Sequence, residues 1–146
     1  MIRALTITLV LSCATTAQGQ ELTPEAFQSR TEGRAFGAYF MDGDLLGIEI
    51  FLKDRNVIWQ AADGTCLRGV WQVQNGYVCY IYEGKFLGHC MNYRAEGDVM
   101  IGTTDEGDSF MLREGSKADV TCPTDEPLMS MHTDGGEIML TRQVER

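Results

Sequence analysis

The sequence predicts a mostly β fold. It reads as a single antiparallel meander forming a small barrel or sandwich, with a short N-terminal helix and two disulfides. Three observations predict it. After Gly33, runs rich in β-branched and aromatic residues alternate with Gly, Asp and Asn clusters, with turn signals about every eight to twelve residues. No segment between the runs is long enough for a crossover helix, so a parallel sheet is not expected. Past the first twenty residues the chain keeps Cys66, Cys79, Cys90 and Cys122, an even number that suits an oxidising compartment.

The elements follow in order. "MIRALTITLVLSCATTAQG" has one basic residue, Arg3, and then an apolar run too short to anchor in a bilayer. It reads as a signal peptide over 1–19, with Ala17 and Gly19 as the small residues before cleavage at Gln20. The rival reading is lipidation at Cys13, because "VLSC" partly resembles a lipobox. No later run approaches the roughly 20 apolar residues of a membrane-spanning helix. Residues 20–146 then form one β domain, least defined over 123–146.

In "LTPEAFQSRTEGR", Thr23 can cap a helix, Pro24 suits its first position and Glu25 favours its positive end. Gly33 can end it after about two turns, with Ala26 and Phe27 toward the core. Alternation marks the strands. Leu67, Gly69, Trp71 and Val73 share a face opposite Arg68, Val70, Gln72 and Gln74, and Ile48, Ile50 and Leu52 lie opposite Glu49 and Phe51. Asn75-Gly76 is a strong two-residue hairpin turn, and Gly84-Lys85 is a second candidate. These define strands over 66–74, 77–83 and 86–93. In that register Cys79 faces Cys90 as a hydrogen-bonded pair, with Cα atoms about 5.5 Å apart. The hairpin motivates the disulfide Cys79–Cys90, and Cys66–Cys122 follows by elimination. "LMSMHT-DGG-EIMLT" reads either as a terminal hairpin or as a loosely attached segment.

The charge narrows the partners. Without residues 1–19 the chain has 11 basic and 21 acidic residues, a net charge of −10. Such a surface repels nucleic acid and anionic lipid and favours a cationic protein. No metal site or cofactor is expected. The cysteine spacings match no zinc pattern, and His89 lies on the strand face opposite Cys79 and Cys90. Met129, Met131 and His132 are soft ligands that would suit copper, but they read as an apolar strand. Asp105, Glu106 and Asp108 resemble half a calcium loop without its remaining ligands. They read as an acidic hairpin turn and as the candidate surface for a cationic partner.

No nucleophile elbow or metalloprotease motif occurs, so no catalytic residue is assigned. Glu49 sits in an apolar strand, where burial would raise its pKa. Paired with Glu83 it would be the one carboxylate arrangement suited to glycoside hydrolysis. The aromatics Tyr77, Tyr80, Tyr82, Trp59 and Trp71 read as core and sheet surface rather than as a ligand box.

Gly47, Glu49, Phe51, Leu52, Arg55 and Trp59, then Cys66, Gly69, Trp71, Cys79, Tyr82 and Cys90, form a spaced set. This set, with the opening "ELTPEAF", resembles a group of small exported alphaproteobacterial proteins over most of 21–122. Their pattern runs Gly-x-Glu-x-aromatic-Leu, Arg-x-x-x-Trp, Cys-x-x-Gly-x-Trp, Cys-x-x-Tyr, Cys. The resemblance implies an exported disulfide-bonded fold and carries no activity with it.

The expected function is therefore a non-catalytic periplasmic or secreted β domain with a binding or envelope-associated role. The alternatives are an inhibitor of a cationic hydrolase such as lysozyme, a lipocalin-like carrier, and a carboxylate-based hydrolase. A co-purified ligand or an apolar cavity of several hundred Å³ would mark the carrier.

Overall fold

A computed structural model of the protein describes residues 19–84 and 89–125, together with the backbone of 129–134 and 137–142. Residues 1–18, where the signal-peptide reading falls, and the connection 85–88 lie outside the described residues.

Strand β1 (Gln20–Leu22) leads into helix α1 (Pro24–Thr31). The Thr23 hydroxyl accepts the Ala26 amide at 3.2 Å, which satisfies one of the open donors of the first turn. Gly33 ends the helix with φ +79°, a conformation that favours a residue without a Cβ. Its amide then donates to Phe51 O at 2.8 Å, and Phe51 N donates to Arg34 O at 2.9 Å. These two bonds fix the helix to one end of the sheet.

Eight strands then run up and down: β2 (Ala35–Phe40), β3 (Leu45–Phe51), β4 (Asn56–Ala61), β5 (Cys66–Gln74), β6 (Tyr77–Tyr82), β7 (Cys90–Glu96), β8 (Val99–Thr104) and β9 (Ser109–Gly115). Each pairs antiparallel with the next, and β9 returns to β2 from Ala35↔Gly115 to Phe40↔Phe110, so the sheet closes in a ring. The meander expected from the sequence is therefore a barrel. One edge of β7 is shared. Among the described residues β6 pairs with it at Val78↔Met91 and Cys79↔Cys90, and β1 takes over at Tyr93, Arg94 and Ala95.

Alternation sorts the side chains. Phe36, Phe51, Val57, Trp71, Val78, Tyr80, Tyr93, Met100 and Leu112 form the inner core. Phe27 of α1 enters this core from the end of the barrel. It is fully buried, stacks on Tyr93 at 4.3 Å between ring centroids, and meets Phe51 and Trp71 edge-on at 5.5 and 5.6 Å. The outer faces of β2, β3 and β4 are covered as well. Ala35, Ile50 and Ile58 pack with Cys122, and Ile48, Leu52 and Val120 pack beside them. The segment 116–125 thus acts as a strap. The Gln60 side-chain oxygen accepts from Thr121 N, Thr121 Oγ1 and Cys122 N, and Arg68 donates to Pro123 O at 3.0 Å.

The two disulfides join Cys66 to Cys122 and Cys79 to Cys90. The pairing type at Cys79↔Cys90 differs from the expected one. Tyr80 N donates to His89 O at 3.0 Å, which makes the neighbouring pair the hydrogen-bonded one. Cys79↔Cys90 is then a non-hydrogen-bonded pair, with Cα atoms only 3.9 Å apart. A two-residue turn at Gly84-Lys85 would fix the opposite alternation, and that part of the expectation falls on the connection 85–88, outside the described residues. Asn75-Gly76 does turn as expected, with φ +50° and +84°. Beyond the strap, β10 (Met129–Asp134) and β11 (Glu137–Arg142) form a separate antiparallel hairpin.

Candidate functional site: a cavity at the open end of the barrel

The two ends of the ring differ. Helix α1 and the Phe27 cluster fill one end. The other end is bounded by the connections β2–β3, β4–β5, β6–β7 and β8–β9, and no helix covers it among the described residues. Below these connections lies a cavity of about 240 Å³. Phe51, Tyr80, Tyr93 and Leu112 form its floor over the packed core. Ala38, Leu46, Trp59, Met91 and Phe110 form the walls, and Tyr82 and His89 stand with them. Protein interiors pack nearly as densely as organic crystals, so a void of this size needs a reason.

One carboxyl group lies in this apolar wall. Glu49 is only 5 % exposed. Its strand neighbours are Phe36 on β2 and Trp59 on β4. Tyr82 Oη donates to Glu49 Oε2 at 2.8 Å, whereas Glu49 Oε1 is buried with no hydrogen-bond partner among the described residues. β3 and β6 are not neighbours in the ring, so this bond crosses the lumen. A second polar link lies beneath it: Tyr80 and Tyr93 share a hydroxyl–hydroxyl bond of 2.8 Å, and Tyr93 Oη donates to Met91 Sδ at 3.3 Å. The rings of Tyr80 and Tyr82 stack 6.2 Å apart and nearly parallel.

Burial decides the proton affinities. Loss of water pushes the Glu49 carboxyl up to about 8, against the smaller stabilising effect of the Tyr82 hydrogen bond. Burial also raises Tyr80, Tyr82 and Tyr93, and the nearby Glu49 raises each of them further. At neutral pH the empty cavity therefore holds a mostly protonated carboxylic acid beside neutral phenols.

The rim is acidic. Asp105, Glu106 and Asp108 lie exposed on the β8–β9 turn, where Asp108 N donates to Thr104 Oγ1 at 3.1 Å. Asp42 and Asp44 lie on the β2–β3 turn, Asp63 on the β4–β5 turn and Glu83 at the start of the β6–β7 connection. The Thr65 amide at 2.8 Å holds the Asp63 carboxyl below its ordinary range. Phe40, Met41 and Leu45 add an exposed apolar lip on the β2–β3 side, with Phe40 5.8 Å from Phe110.

The structure thus distributes the sequence candidates as follows. Asp105, Glu106 and Asp108 share the mouth with the other three connections. Glu49 is inside the barrel, and Glu83 stands at its rim. Of the aromatics read as core and surface, Trp71 and Tyr80 are in the packed core with Tyr82 against it, and Tyr80, Tyr82 and Trp59 also line the cavity. Met129, Met131 and His132 lie on β10, whose side chains are outside the described residues. The grouping of Glu49 with Tyr80, Tyr82 and Tyr93 was missed in the sequence. The available signal was parity: Glu49 shares its strand face with Phe51, and Tyr80 shares its face with Tyr82 and Val78. Compared with known proteins, the chain matches no family model, no curated protein and no solved structure at a significant level.

Proposed function

We propose that this chain is an exported, non-catalytic binding protein that holds a small, largely apolar ligand inside the barrel, as a lipocalin-like carrier does. The observation that carries this reading is Glu49 Oε1, a buried and unpartnered oxygen in the wall of a 240 Å³ apolar cavity. A buried polar atom without a partner costs about 1–3 kcal/mol, and an unfilled void costs packing energy as well. A ligand removes both costs. Mostly apolar walls with a few convergent polar groups are the usual composition of a small-molecule site. Two disulfides fit an oxidising compartment, and no helix among the described residues is long and apolar enough to cross a membrane.

The test uses toluene and 2-phenylethanol as probes in ligand-observed saturation-transfer NMR. Both should bind the wild-type protein. Ala38→Leu, which fills the wall, and Leu46→Trp, which blocks the mouth from a half-buried position, should each abolish the signal. Binding that persists in both variants, or no binding to the wild type, sinks the carrier reading.

The acidic rim favours a second reading, in which the same end docks a cationic protein such as a basic cell-wall hydrolase. Electrostatic docking demands that charge reversal at Asp105, Glu106 and Asp108 slow association more than it changes dissociation. No affinity for such enzymes at low salt rejects it.

A further inference from the structure

We propose that the cavity selects a protonated amine with an apolar body, and that Glu49 is its counter-ion. This rests on the reading of the cavity as a ligand site and names the chemistry of the ligand. Three observations converge. First, the free oxygen of a 95 %-buried carboxyl faces an otherwise apolar lumen, where a polar group on the ligand is the missing partner, and for the ionised carboxylate that group is an N–H donor. Second, the rings of Trp59, Tyr80 and Tyr82 stand around the same space, and the faces of electron-rich rings attract cations. Third, the three fully described connections at the mouth carry six carboxylates, Asp42, Asp44, Asp63, Asp105, Glu106 and Asp108, and no arginine or lysine is among them. The sequence adds one lysine, Lys85, outside the described residues. A mouth of this charge concentrates organic cations and repels anions before any contact is made.

A neutral apolar ligand explains the void but neither the carboxyl nor the rim. An anion is opposed by the rim. An amine uses all three features: its body fills the lumen, its N–H donates to Glu49 Oε1, and the rim draws it in. The size is set by the volume. A cavity of about 150 Å³ accommodates benzene, so one of 240 Å³ takes a single ring with a short aminoalkyl arm.

The exchange balances in protons. In the empty cavity Glu49 is a carboxylic acid. When R–NH₃⁺ enters, the carboxyl proton leaves to solvent and a carboxylate–ammonium pair remains. The other titratable groups facing this site are Tyr80, Tyr82, Tyr93 and His89. The three tyrosines are held neutral by burial, so they do not supply the proton.

The experiment compares 2-phenylethylamine, 2-phenylethanol and phenylacetate by titration calorimetry at pH 7 in buffers of different ionisation enthalpy. The amine should bind the wild-type protein at least about tenfold tighter than the alcohol, and phenylacetate weakest. Amine binding should release about one proton, and alcohol binding none. Glu49→Gln should remove the preference for the amine and the proton release. Equal affinity for amine and alcohol, or amine binding without proton release, overturns the inference and leaves the carrier reading standing. Those two readouts need only the wild-type protein, so they stand even if Glu49→Gln does not fold. Absence of binding by all three probes overturns both.

Discussion

Tyr82 and Glu49 form a hydrogen bond of 2.8 Å across the lumen between strands that are not neighbours in the ring, and this bond occupies only one of the two carboxyl oxygens. The half-satisfied carboxyl makes the stability of the barrel depend on pH in a definite direction. The folded Glu49 keeps its proton up to about pH 8, whereas an unfolded glutamate loses it near 4.5. Between those values the native state binds more protons than the unfolded state, so stability falls as pH rises and levels off above about 8. The slope from this group is at most about 1.4 kcal/mol per pH unit. Glu49→Gln should flatten that slope and should be clearly more stable than wild type at pH 8.5. Urea unfolding at intervals from pH 5 to 9 measures it. Parallel profiles for the two proteins count against a buried, protonated Glu49.

Tyr82→Phe tests the same bond from its other end. The phenol lowers the Glu49 pKa, and its removal leaves a second carboxyl oxygen without a donor. The Glu49 pKa should rise further, and the protein should lose roughly 1–3 kcal/mol, more at pH 8.5 than at pH 5.5. Carboxyl ¹³C shifts followed through a pH titration report the first effect. A downward shift refutes the assignment.

The two disulfides should differ in what they stabilise. Cys66–Cys122 closes 56 residues and pins the strap over Ile50 and Ile58, whereas Cys79–Cys90 closes only 11. Loop-closure entropy alone gives about 4 kcal/mol for the long loop and about 3 kcal/mol for the short one. Replacing Cys66 and Cys122 by alanine should therefore cost more than replacing the other pair, because the strap also loosens. It should also speed hydrogen exchange on the outer face of β4. Denaturant midpoints and exchange rates of the two double variants decide it, and equal exchange at Ile58 argues against the strap.

Gly47 is fixed by a close approach. A Cβ there meets Trp59 Cζ2 and lies 2.5 Å from Gln60 O, so either the indole or the backbone must move. Gly47→Ala should cost about 1–3 kcal/mol and displace the Trp59 ring at the cavity wall. A shift in tryptophan emission together with a lowered melting temperature is the expected signature. An unchanged spectrum and midpoint shows that Gly47 tolerates a side chain.

Much of the architecture was legible because it follows from period-two patterning and turn chemistry. Asn75-Gly76 set one hairpin, Thr23 and Pro24 set the helix start, and the alternation in β3 and β5 set two faces. The pattern did not reveal which face was inside. On β3 the apolar face Ile48, Ile50 and Leu52 looks like the core, yet it is the outer face under the strap, and Glu49 points inward. A strand buried on both sides hides its orientation, because neither face needs to be polar. The cavity was illegible for a related reason. Tyr80, Tyr82 and Trp59 are equally suited to a filled core and to the wall of a void, and only ring closure brings Glu49 and Tyr82 together. Several residues of the spaced motif do meet in space: Gly47 lies under Trp59, Glu49 binds Tyr82, and the Arg55 guanidinium sits 4.7 Å from the centre of the Trp71 ring.

The divided edge of β7 makes three residues at the start of the domain guard its solubility. Gln20 and Glu21 are exposed and Leu22 is half-buried against the core, and the three occupy the backbone positions beside Tyr93, Arg94 and Ala95 on that edge. A chain shortened to begin at Thr23 would expose an unpaired ladder in an otherwise edgeless sheet. A strand donated by another copy fits such a gap, so truncation should produce linear oligomers before it produces unfolding.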